Sequence, residues 1–192
     1  MGAPARIEDP PGSAPTLYQG LLGEQFDRLP EPLRRFHARP LGGAASGTMR
    51  VLRGHGWLAG VAAWLSRAPP AGEAVPVEMR IAVEGERERW TRSFAGRPMV
   101  TRQWRAGDAL VEALGPSRVH FRVRVEGEGM VFEQLRATLL GVPIPALLAP
   151  RIEARAQTHA GLPGGAWVVF VRIALPGIGL VVEYSGTMAD AG

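Results

Sequence analysis

The sequence contains no cysteine and no lysine. Without cysteine there can be no disulfide framework, no cysteine-ligated iron–sulfur centre and no thiol nucleophile. That absence suits a reducing compartment. Without lysine, all 22 basic residues are arginine, a bias that points to a GC-rich coding sequence rather than to a chemical demand for guanidinium. It explains the isoelectric point of about 10.8, because arginine stays charged far above neutral pH. Long apolar runs are missing too: none reaches the roughly 18–20 residues of a membrane span. The first fifteen residues, MGAPARIEDPPGSAP, lack the apolar segment of a secretory signal. Arg6 stands where a myristoylation motif needs Ser or Thr. These features lead us to expect a cytoplasmic location.

Charge of one sign is also scarce. The net charge is +4, with 18 acidic residues dispersed among the arginines. The longest basic run is the pair Arg34-Arg35, so a nucleic-acid partner is not expected.

What is present is strand and turn. Hydrophobic residues make up 46% of the 192, with 25 glycines and 17 prolines. That composition fits one core in a turn-rich, strand-rich chain better than a helical bundle. The clearest stretch is Ser117–Leu140, where Val119, Phe121, Val123 and Val125 alternate with His120, Arg122, Arg124 and Glu126. A period of two gives one apolar and one charged face. Gly127-Glu128-Gly129 supplies a tight reversal, and Val131, Leu135, Ala137 and Leu139 continue an apolar face on the return strand. This hairpin is expected at the centre of the fold.

Residues 1–15, rich in Pro and Gly, are expected to be disordered. A single domain is expected over 16–188. Thr16 can cap a helix near 16–28, which Pro30 and Pro32 separate from a short second helix near 31–37. Trp57–Leu65 reads as a short, almost wholly apolar helix. Further strands are expected around 47–53, 77–83, 87–94, 99–105, 109–114, 152–159, 167–175 and 180–187, with a Pro-punctuated apolar connection over 141–150. The tail after Met188 is expected to fray. Nine or ten short strands with short turns predict a mainly β fold: an antiparallel barrel or strongly curved half-barrel, with N-terminal helices and one short apolar helix covering an opening.

Several stretches resemble the DUF4166 domain family. They are Leu17-Tyr18-Gln19-Gly20-Leu21-Leu22-Gly23, Phe26-Asp27-Arg28-Leu29-Pro30, Pro32-Leu33-Arg34-Arg35-Phe36-His37, Arg89–Phe94, Leu139–Pro145, Leu148-Ala149-Pro150, and Ile173–Pro176 with Tyr184-Ser185-Gly186. The resemblance covers about residues 16–188. It implies an uncharacterised domain often appended to saccharopine-dehydrogenase-like oxidoreductases, which makes an oxidoreductase domain a candidate partner. It supplies no catalytic residues, and no G-x-G-x-x-G fingerprint follows a strand here.

No catalytic, metal or nucleotide signature stands out. His37, His55, His120 and His159 do not pair at metal-ligand spacing. His37 is expected to meet carbonyls at a helix end. Ser46 and Ser185 are not in nucleophile elbows. No cofactor is implied.

The informative anomaly is charge in apolar registers. Arg92 shares a face with Trp90 and Phe94, Arg102 with Val100 and Trp104, Glu112 with Leu110 and Leu114, and Glu133 with Val131 and Leu135. If those faces point inward, the charges must pair, and Arg92 and Arg102 could meet Glu112 and Glu133 on neighbouring strands. Trp90, Arg92, Arg102, Trp104, Glu112 and Glu133 are therefore the candidate ligand-binding residues. Trp57, Val61, Trp64 and Leu65 are the candidate lid or interface. The expected function is non-catalytic binding of an apolar or amphipathic small molecule. Alternatives are a protein-interaction domain docking through Trp57–Leu65 and the Leu17–Phe36 helices, and an enzyme on a barrel scaffold using Glu112 or Glu133 as base. Peripheral membrane contact stays open.

Overall fold

Every strand but one lies between two neighbours in a sheet that closes on itself. The computed structural model describes residues 14–65 and 68–191, leaving aside the side chains of Trp64 and Leu65. The expected disordered segment therefore falls almost wholly outside the described residues. The strands are β1 (Ala44–Arg53), β2 (Gly72–Glu84), β3 (Arg87–Phe94), β4 (Arg97–Ala106), β5 (Ala109–Leu114), β6 (Ser117–Glu126), β7 (Gly129–Leu139), β8 (Val142–Pro143), β9 (Arg151–Gln157), β10 (Ala166–Leu175) and β11 (Gly179–Asp190). Their order is β6-β5-β4-β3-β2-β1-β11-β10-β9-β7, and a β7–β6 pairing closes the ring. The result is a closed ten-strand antiparallel barrel, with the two-residue β8 attached to β7 outside the ring. Closure leaves no long unpaired edge, which suits a chain this rich in apolar strands.

Alternation explains the barrel locally. Along β2, Val75, Val77, Met79 and Ile81 are buried, while Glu78 and Arg80 are exposed. Glycines permit the tight reversals: Gly85, Gly107, Gly115 and Gly127 each take positive φ at the first loop position of a two-residue hairpin. Two register details depart from simple alternation. A bulge opposite His120–Phe121 sets Phe121 against Gln134 and His120 against Arg136, so β7 changes parity there: Met130 and Phe132 face inward before it and Ala137 and Leu139 after it, whereas Val131 and Leu135, expected on the same apolar face, point outward. Beyond Glu133 the β7–β9 ladder ends, and the Gln134 amide replaces it: its Oε1 accepts from Ile152 N at 2.9 Å and its Nε2 donates to the Pro150 carbonyl at 2.7 Å.

One end of the barrel is plugged. Helix α1 (Leu17–Leu22), a 3₁₀ turn over Gly23–Arg28 and helix α2 (Glu31–His37) bury Tyr18, Leu22, Phe26, Leu29, Leu33 and Phe36. Thr16 caps α1 through a reciprocal box with Gln19, and its hydroxyl also donates to the His37 carbonyl at 2.8 Å, tying α1 to α2. Gln25 Oε1 accepts from Val125 N at the end of β6. The tail does not fray where expected. β11 continues to Asp190, opposite Ala45, and Arg35 and Arg39 of the plug segment hold the Asp190 carboxylate.

The other end has no such plug among the described residues. Helix α3 (Trp57–Leu65) lies against β11 and β1 with Ala59 and Ala63 buried, and leaves Trp57, Leu58 and Val61 exposed. The Pro-rich connection stands on the same rim with Leu139, Leu140, Val142, Leu147 and Leu148 exposed.

Candidate functional site

The barrel interior is the candidate site. Its inward positions enclose a cavity of about 400 Å³. The cavity runs from Tyr18, Phe36, His37 and Trp167 at the plug to Leu139, Ile144, Leu175 and Ala62 at the open rim. Met49, Val77, Met79, Phe94, Met99, Phe121, Met130, Phe132 and Val182 supply much of an apolar wall. Aromatic edges pack along it, with Phe121–Phe132 at 6.2 Å and Phe94–Tyr184 at 5.4 Å between ring centroids.

A polar cluster interrupts that wall on one side. Register places Arg92 opposite Met99, Trp90 opposite Thr101 and Glu88 opposite Gln103, with Gln103 in turn opposite Glu112. The Arg92 guanidinium donates to Thr101 Oγ1 at 2.9 Å and to Glu112 Oε1 at 3.2 Å, and stacks over Trp90 at 4.9 Å. Burial works against its charge. The Glu112 carboxylate, with Tyr184 and Tyr18 nearby, outweighs that and holds the guanidinium protonated. Such a pair is costly to break from one side, because the remaining charge stays buried.

Below the pair, the Tyr18 hydroxyl donates to Gln103 Oε1 at 3.0 Å. Burial raises the Tyr18 phenol well above its ordinary range, and Glu88 and Glu112 add to this. Trp90 Nε1 donates to Glu88 Oε2 at 2.8 Å. Burial still pushes the Glu88 carboxyl up, with that hydrogen bond pulling against it. Burial also lifts the Tyr184 phenol to about 12, despite Arg92.

His37 sits under Tyr18, 4.0 Å between ring centroids, and stacks on Trp90 at 6.0 Å. It does not serve the helix end: α2 turns it inward with Leu33 and Phe36, at the i, i+3, i+4 spacing of one face. Burial drives its pKa down to about 3, so it is neutral at physiological pH. Among the described residues, neither the His37 ring nitrogens nor the Tyr184 hydroxyl has a hydrogen-bond partner, and both side chains line the cavity.

The six residues singled out from the sequence divide evenly. Trp90, Arg92 and Glu112 meet inside. Arg102, Trp104 and Glu133 stand on the outer face. On β4 the inward register is Met99, Thr101 and Gln103, so Val100, Arg102 and Trp104 point out. Trp104 there lies under the guanidinium groups of Arg87 and Arg118 at 5.0 and 5.8 Å. Glu133 pairs with Arg122 and Arg124 on the surface. The expectation that Arg102 would meet Glu133 inside is thus corrected. Of the lid residues, Trp57 and Val61 are exposed on α3, and the side chains of Trp64 and Leu65 lie outside those described.

The interior residues that were missed are Tyr18, His37, Glu88, Thr101, Gln103 and Tyr184. Four of them stand at period two from an apolar residue of the same strand. Glu88 is two residues before Trp90, Thr101 and Gln103 follow Met99 at period two, and Tyr184 follows Val182 in the same way. Among the described residues no group of three or more metal-ligating side chains converges, and no helix is long and apolar enough to cross a membrane.

No curated protein and no solved structure matches this chain. A family model does match, over residues 29–188. That span includes all eleven strands except the last two residues of β11, and, among the helical segments, all but α1 and the 3₁₀ turn. The chain therefore belongs to the family described as a domain of unknown function, DUF4166.

Proposed function

We propose that the barrel binds an apolar or amphipathic small molecule in its interior, as a non-catalytic module that could stand beside an oxidoreductase domain. The observation that supports this is the cavity of about 400 Å³, walled by apolar side chains and met by a few polar groups. Its volume falls in the range of about 300–1,000 Å³ typical of small-molecule sites, and the mixture of lining residues is typical as well.

The electrostatics favour an uncharged polar end on the ligand. Arg92 is already matched by Glu112, and His37 is neutral. A carboxylate or phosphate would have to displace Glu112 or bring an uncompensated charge into the interior, at a cost of several kcal/mol. A hydroxyl or carbonyl can instead use the His37 ring, the Gln103 amide or the Tyr184 hydroxyl without changing the charge balance.

Native mass spectrometry of protein purified without detergent tests this directly, followed by thermal-shift titration with a long-chain alcohol and the matching fatty acid. A retained small molecule, or stabilisation by the alcohol in preference to the acid, is expected. Neither a retained molecule nor a shift with either compound would defeat the binding reading. Stabilisation by the acid alone would leave binding standing and remove the uncharged head group.

The reading as an interaction domain keeps only part of its surface. The apolar side chains of the Leu17–Phe36 helices are largely consumed in the plug, whereas α3 and the Pro-rich connection remain exposed. For an enzymatic reading, Glu133 is on the outer face and Glu112 is engaged by Arg92.

A further inference from the structure

The two ends of the barrel differ in charge as well as in cover. The loops at the open end, with helix α3, cover 54–65, 68–71, 95–96, 115–116, 140–150 and 176–178. None of these stretches contains an Asp or Glu. The nearest carboxylate, Glu73, is the second residue of β2 and is paired with Arg50 at 2.8 Å. Farther down the outer wall, Glu183 faces Arg172 at 3.7 Å.

Three arginines stand at strand termini around the same opening, Arg53, Arg97 and Arg151, and a fourth, Arg118, lies over Trp104 on the outer wall. None of the four is in an ion pair among the described residues. By contrast, the plugged end mixes both signs, exposing Glu24, Asp27, Glu31, Glu86, Asp108 and Glu128 beside Arg28, Arg34, Arg87 and Arg105.

The unpaired arginines surround apolar side chains that water does not favour. Trp57, Leu58 and Val61 of α3 project on one side of the rim, and Leu140, Leu147 and Leu148 on the other. Both groups border the mouth of the cavity, which Ala62, Ala68, Leu139 and Ile144 line from within. Leu147 is 86% exposed, Leu140 79% and Trp57 76%. Apolar side chains this exposed on both sides of one opening mark a contact face. An apolar tip with a tryptophan, ringed by uncompensated cations and free of carboxylates, complements the acyl boundary and negative headgroups of a bilayer.

We infer that the open end is a docking face for an anionic membrane surface, seating the cavity mouth against the lipid. The inference rests on the rim alone and holds whether or not the cavity carries a ligand.

Flotation of the whole chain with vesicles tests it. Vesicles of phosphatidylcholine with about a third phosphatidylglycerol should carry the protein up, pure phosphatidylcholine should carry far less, and added salt should release it. The variant Trp57→Ser/Leu147→Ser/Leu148→Ser should lose about tenfold in bound fraction with an unchanged melting temperature, because these side chains are exposed. A control, Glu86→Gln/Asp108→Asn at the plugged end, should bind no less than the parent. Failure to float with anionic vesicles, equal flotation on neutral ones, or full flotation of the triple variant would each overturn the inference. So would a dimer, seen by light scattering, that the triple variant dissolves while no vesicle binding occurs. That outcome would assign the rim to a second copy of the chain.

Discussion

The plugged and open ends are built from similar amounts of apolar sequence put to opposite uses. At the plugged end, Leu22, Phe26, Leu29, Leu33 and Phe36 are all 5% exposed or less. They are held there by specific polar ties: Thr16 to the His37 carbonyl, Tyr18 to Gln103, Gln25 to Val125 and Arg39 to Asp190. At the open end, Trp57, Leu147 and Leu148 meet solvent. Hydrophobicity alone does not distinguish them. The difference lies in partners: a helix buries its apolar stripe when the sheet offers both a concave apolar surface and donors or acceptors to fix its angle of entry.

The comparison can be broken or sharpened in order of expected effect. Phe36→Ala in the plug should cost about 3–5 kcal/mol in urea unfolding. A loss below about 1 kcal/mol would mean that the plug is not part of the cooperative unit. Arg92→Met should cost about 3–5 kcal/mol by leaving Glu112 buried without a partner. Adding Glu112→Leu should restore most of that loss, whereas a double variant no better than the single would show that the pair is not coupled.

Acid should act on the plugged end first. The His37 pKa is lowered from 6.5 to about 3. Between those values the unfolded chain binds the proton and the folded one does not, so stability falls as pH drops through this window, by up to about 1.4 kcal/mol per unit. Glu88 acts in the opposite sense. Its raised pKa favours folding while its carboxyl is protonated, and that contribution is lost as pH climbs from 4.5 through the folded value. His37→Gln should flatten the acid slope; an unchanged slope in pH-dependent unfolding would remove His37 as its source. Thr16→Ala should cost about 1 kcal/mol through the lost cap. Leu148→Ser on the rim should stay within about 0.5 kcal/mol.

Most of the barrel was legible because pleating leaves its mark on every strand. The helix–proline–helix plug was legible because Pro30 and Pro32 leave few alternatives. The direction of each face was not legible. On β4 the outer register of Val100, Arg102 and Trp104 looks as apolar as the inner register of Met99, Thr101 and Gln103. The inner one is more polar because Thr101 accepts from Arg92 on the neighbouring strand and Gln103 from Tyr18, which is far off in sequence. Trp104 can stay outside because two arginines cover it. His37 misled for a related reason: a histidine in the last turn suits exposed carbonyls, and only the burial of Leu33 and Phe36 reveals which way that face turns.

The position of β11 between β1 and β10 has a consequence for biosynthesis. The partner that β1 needs on one side is the last of the barrel strands to be synthesised. Until it emerges, the earlier strands can assemble only as an open, sticky ribbon, and loop closure across most of the polypeptide must precede the final ladder. A nascent chain stalled before Gly179 should therefore recruit chaperones heavily, and release of the last strand should end that dependence.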